Sequence, residues 1–191
     1  MRQWGNAVAL LLILAVYGAW FVKTNTLIAS PALKQDERGW LASGVYYARL
    51  VMTGNCSADA WEGRGLGAWG NLNPPIGKLA LGLPAYFLTV NEDLEYAPQK
   101  HPELGEWGGL GPHAPPPPTG LLRVVRRIAQ FWAGCAAAVL IIVAWRLAGP
   151  VAAVVAAYTT LLNSLYLRDS AIAYTDGICL TIQGAAFLDR K

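Results

Sequence analysis

The stretch Arg126–Asp169, RRIAQFWAGCAAAVLIIVAWRLAGPVAAVVAAYTTLLNSLYLRD, decides how the rest of the chain is read. Ile128–Trp145 carries no charge, with Arg126-Arg127 before it and Arg146 after it. About 20 apolar residues are needed to cross the hydrocarbon core of a bilayer, so the run predicts a membrane-spanning helix over 128–145. Leu147–Leu167 is a further uncharged run, ended by Arg168 and Asp169. Between the two, Gly149-Pro150 joins a helix stop to a residue suited to the first turn of a helix. The expectation is a tight transmembrane hairpin with its second arm over 150–167.

Working outward, nothing between Arg2 and Lys23 is charged, which predicts a span over 7–22. A cleaved signal peptide is the competing reading, but Tyr17 before Gly18-Ala19 makes a poor small-x-small cleavage pattern. A fourth span over 170–188 is interrupted by Asp176 and crosses only with that residue near its outer end. Leu79–Asn91 is short and holds Pro84, so a helix over 77–91 fits the interface better than a crossing. Residues 23–127 then form one long extracytoplasmic loop, with Asp36 and Asp176 on the same side. Arg2, Arg146 and Arg190-Lys191 fall on the other side, as the positive-inside rule asks. The fold class expected is all-α integral membrane: one domain, 1–191, of four spans, a cytoplasmic N-terminus and interfacial helices over 36–53 and 77–91.

Composition agrees with this. Of 191 residues, 54% are AVILMFWYC, 14% are charged and mean hydropathy is +0.34, against about 25% charged in soluble domains. A net charge of +3 is too balanced for a nucleic-acid partner bound through phosphate neutralisation. Cys56, Cys135 and Cys179 have no metal-type spacing and form no disulfide framework. A divalent metal stays open but is not indicated.

Within the loop, Asp36–Thr53 reads as a helix, with Leu41, Val45, Ala48 and Met52 at helical spacing and Gly54-Asn55 as its stop. Trp40, Tyr46 and Tyr47 suit a helix at headgroup level. Gly65-x-Gly67-x-x-Gly70 imitates a dinucleotide fingerprint, but no strand precedes it and Asn73-Pro74-Pro75 follows. Asn55-Cys56-Ser57 is a formal glycosylation sequon. His101 and His113 lie without partners at ligand spacing, before the stiff Pro115–Pro118 run.

Three features carry chemistry. Asp36-Glu37 opens the first loop helix, either as helix-dipole partners or as a reactive acid pair. Asp176 inside an apolar segment is by default a functional residue, with pairing to Arg168 as the alternative. Lys78, after the Asn73-Pro74-Pro75 turn, either meets an anionic headgroup or snorkels to the interface.

In this order and spacing, DERGWLASGVYYARLVMTGN (36–55) and NLNPPIGKLALGLPAYFL (71–88) resemble the first extracytoplasmic loop of membrane glycosyltransferases with the GT-C fold. The nearest type is glycosyltransferase family 39, which holds protein O-mannosyltransferases and aminoarabinose transferases. The resemblance runs on through Arg127 and WRLAGP to SAIAYTD (170–176), covering the chain from about Asp36 to Asp176. It implies a bacterial cytoplasmic-membrane enzyme. A sugar would pass from a polyprenyl-phosphate donor to a hydroxyl of a protein, lipid or glycan, with inversion. Asp36 would be the general base, Glu37 and Asp176 would assist it, and Lys78 and Arg127 would answer the donor phosphate. Asn73 stands where relatives carry His, Lys or an acidic residue, and Ala171 where they often carry Arg. Relatives continue beyond the position of Lys191, so further C-terminal helices or a partner subunit would complete the donor groove. The alternatives are a non-catalytic membrane remnant or lipid- or partner-binding subunit, and a small carrier using Asp176 as its coupling charge.

Overall fold

The computed structural model describes residues 2–28, 35–62, 75–89, 116–163 and 176–189. All regular structure among them is helical: α1 (Arg2–Ile28), α2 (Gln35–Met52), α3 (Ala58–Glu62), α4 (Pro75–Leu88), α5 (Thr119–Leu162) and α6 (Asp176–Asp189). The Gly65/Gly67/Gly70 pattern, Asn73, Pro115, His101, His113, Arg168 and Ala171 lie outside the described residues. Two compact units emerge. One holds α1, residues 129–162 of α5, and α6; the other holds α2, α3, α4 and residues 119–128 of α5.

In the first unit, α5 is not one rod. Gly149 has φ 81° and ψ −170°, a combination open to glycine almost alone, and the chain folds back there. In a straight helix residues 130 and 161 would lie roughly 46 Å apart. Instead, neighbouring residues of α1 reach both. Lys23 Nζ donates to the Leu161 carbonyl at 3.3 Å, Gln130 Nε2 donates to the Phe21 carbonyl at 3.3 Å, and Gln130 also bonds the buried Thr24 hydroxyl. The first arm begins at Thr119 rather than at the apolar run, because Leu121, Leu122, Val125 and Ile128 already give it a buried stripe.

Small residues set the packing of this unit. Val16 clusters with Ile141, Ala153 and Ala157, and Trp20 with Ala133 and Ala137. A Cβ at Gly134 would fall inside the Tyr17 ring, and one at Gly184 would fall against Val139. Large apolar side chains point outward, with Val151 74% and Val22 72% exposed. Among the described residues, Thr119–Leu162 is the helix long and apolar enough to cross a membrane, by length and composition. Leu10–Asn25 and Ile76–Leu88 are shorter apolar stretches.

In the second unit, α2 and α4 cross backbone to backbone. A Cβ on Gly82 would collide with the Gly44 carbonyl, and one on Gly44 would sit 3.3 Å from the Lys78 carbonyl oxygen. Leu41, Val45, Ala48 and Leu81 are buried there, while Met52, the last residue of α2, is exposed. α2 stops in a Schellman turn: Gly54 at φ 65°, its N–H on the Val51 carbonyl, and the Asn55 N–H on the Leu50 carbonyl.

Candidate functional site

The second unit buries three charged residues, Glu37, Lys78 and Arg126, together with Tyr47 of α2. Such residues are rarely buried unless they are paired.

Glu37 and Arg126 form a two-point ion pair. Arg126 Nε donates to Glu37 Oε1 at 2.6 Å and a second guanidinium nitrogen donates to Oε2 at 2.9 Å. The side chains are 3% and 0% exposed for Arg126 and Glu37 respectively. This is the fork-on-carboxylate geometry in which arginine is strongest. It ties the first turn of α2 to the start of α5, and it engages both oxygens of Glu37.

Lys78 is wholly buried on α4. Its Nζ lies 5.3 Å from the centre of the Tyr47 ring and 5.9 Å from that of Trp40, within the reach of cation–π attraction. Burial lowers its pKa from 10.5 to about 8, because an ammonium group loses hydration inside the fold. At neutral pH it is still mainly a cation, held out of water by the Gly44–Gly82 crossing.

The rings are fixed in turn. Tyr47 Oη donates to the Trp61 carbonyl at 3.1 Å and Tyr46 Oη to the Ala60 carbonyl at 2.7 Å. Trp61 Nε1 donates to the Asn55 carbonyl at 2.7 Å, and its ring lies 5.2 Å from that of Tyr47. The short helix α3 is thereby pinned beneath α2. Burial raises the pKa of both tyrosines, and for Tyr47 the neighbouring Tyr46 adds to it.

Asp36 is helical, in the first turn of α2, and Asp176 opens α6; their side chains lie outside the described residues. Asp36 belongs to the second unit and Asp176 to the first. Asp36, Trp40 and Tyr47 follow at spacings of four and seven, one line along α2. Arg127 is exposed on α5, one residue beyond the buried Arg126. Lys78 does not snorkel to water.

Arg126 is the member of the site that sequence reasoning passes over in favour of Arg127. The signal is present in the pattern. Leu122, Arg126, Ala129 and Ala133 recur at helical spacing on the buried stripe of α5, whereas Arg123 and Arg127 fall on its exposed side. Among the described residues no three His, Cys, Asp or Glu come together to hold a metal ion. No protein-family model, no curated protein and no solved structure matches the chain.

Proposed function

We propose that this chain transfers a sugar from a polyprenyl-phosphate donor to a hydroxyl acceptor at the outer surface of a bacterial cytoplasmic membrane. The observation that carries the reading is the seat of Lys78: a buried cation over Trp40 and Tyr47, two residues in helical line with Asp36. A carboxylate and a desolvated cation served by one helix are what sugar transfer from a phosphate ester asks for.

In this reaction Asp36 takes the proton from the acceptor hydroxyl. The oxygen attacks the anomeric carbon, the bond from that carbon to the phosphate oxygen breaks, and polyprenyl phosphate leaves with the electron pair. The configuration inverts. Lys78 and Arg127 balance the charge on the departing phosphate, and Asp176 orients the acceptor. α1, the two arms of α5 and α6 serve as the four crossings, with the N-terminus cytoplasmic. The pairing of two arms at Gly149 supports that count, since one 44-residue helix then supplies two of them.

The test is transfer of labelled sugar by membranes that contain the chain and a polyprenyl-phosphate sugar. Asp36→Asn lowers the rate by about 10²- to 10⁴-fold, the contribution of a positioned base. An undiminished rate in Asp36→Asn overturns the assignment. One observation favours a second reading, a lipid-binding subunit without turnover: half of the acid pair, Glu37, is already engaged by Arg126. That reading gives lipid retention by the chain, no transfer, and indifference to Asp36→Asn.

A further inference from the structure

We infer that Arg126 is a positioning residue, whose two-point hold on Glu37 fixes the helix turn that carries Asp36; the inference rests on the transfer reading above for its catalytic consequence. The first turn of a helix is where backbone order is weakest, because its N–H groups have no partners within the helix. α2 begins at Gln35, so Asp36 and Glu37 both lie in that turn. The guanidinium grips both carboxylate oxygens of Glu37, at 2.6 and 2.9 Å. A single bond would leave the turn free to roll about the contact, whereas two parallel bonds between planar groups remove that freedom. The neighbouring residue in the same turn is carried with it.

Stability does not account for the pair. Burying both ions costs hydration that their attraction barely returns, and well-packed apolar residues of similar size often serve a fold as well or better. Along the same two helices Leu41 on α2 and Leu122 and Val125 on α5 are buried and apolar, company in which an apolar pair would also fit. What an apolar pair cannot supply is a defined rotation of the turn. Catalysis is sensitive to that, since a displacement of about 1 Å can cost on the order of 10²-fold in rate.

The experiment compares Arg126→Lys, which keeps the charge but loses the fork, with the double variant Glu37→Leu/Arg126→Met. Each is assayed for transfer kinetics, thermal unfolding and amide hydrogen exchange over residues 35–39. Both variants are expected to lose on the order of 10²-fold in kcat with KM changed less than about twofold. The double variant keeps the native unfolding temperature, yet its first-turn amides exchange at least about tenfold faster. Native kcat in the double variant, or unchanged exchange in both, overturns the inference. Should the double variant not fold, Arg126→Lys carries the same readings. If the unaltered chain transfers no sugar, the transfer reading falls, while exchange at residues 35–39 still decides whether Arg126 orders the turn.

Discussion

The two compact units bury opposite kinds of side chain. Inside the first lie Ala133, Ala137, Ala153 and Ala157, with Gly134 against the Tyr17 ring, while Leu11, Val22, Leu147 and Val151 face outward. Inside the second lie Glu37, Lys78 and Arg126 among Leu41, Val45, Leu81 and Leu121. A helix bundle in water hides its large apolar residues. Helices in lipid gain little by doing so and associate through close contact of small ones. The first unit shares that pattern of small residues at its contacts, alongside the buried Trp20 and Ile141, and the second keeps its charges buried.

Breaking a polar contact should separate the two units most sharply. Glu37→Leu alone or Arg126→Met alone strands a buried charge, and the expected loss is about 3–5 kcal/mol. In the first unit, Gln130→Leu removes the bonds to Thr24 and Phe21, but the Thr24 hydroxyl keeps its 2.9 Å bond to the Trp20 carbonyl. A neutral hydrogen bond of that kind contributes about 0.5–1.5 kcal/mol. Unfolding in detergent measures both, and equal losses would erase the contrast.

A smaller difference is expected at the glycines. An alanine at Gly82 meets the backbone of Gly44, which cannot step aside without parting α2 from α4. The cost should be about 1–3 kcal/mol, and Lys78 should become reactive towards an amine reagent as its cover opens. An alanine at Gly134 meets the ring of a partly exposed tyrosine side chain, which yields more readily than backbone. Melting temperatures of the two variants should rank in that order.

The smallest effect is a slope with pH. Lys78 titrates at about 8 in the fold against 10.5 in the free side chain, so between those values the unfolded chain holds more protons. Stability then rises with pH across the window, by at most about 1.4 kcal/mol per pH unit. Lys78→Met should flatten the rise. Denaturant midpoints read below about pH 10 test this, since above it the raised tyrosines, Tyr46 and Tyr47, begin to act in the opposite direction.

The helices of the first unit are legible in the sequence because their few charges are widely spaced, leaving long uncharged runs between them. The spacing between Arg127, Arg146 and Arg168 and the pair Gly149-Pro150 carry the hairpin before any coordinate is seen. The interior of the second unit is harder to read, for a physical reason. Lys78 is buried because two glycines, 38 positions apart, let α4 lie directly on α2, and nothing local to Lys78 announces that. Arg126 and Arg127 are chemically identical neighbours, and one step of helical rotation separates an ion-pair partner from an exposed side chain. Asp176 stands out in the sequence as an acid in apolar company and Asp36 as half of an acid pair, but a role in one pocket is a statement about three dimensions that their spacing cannot make.

The fold-back at Gly149 imposes a parity on the first unit. Because the chain reverses within a single glycine, Gln130 and Leu161 emerge at one end of the arms and Arg146 at the other, whichever way the polypeptide is threaded.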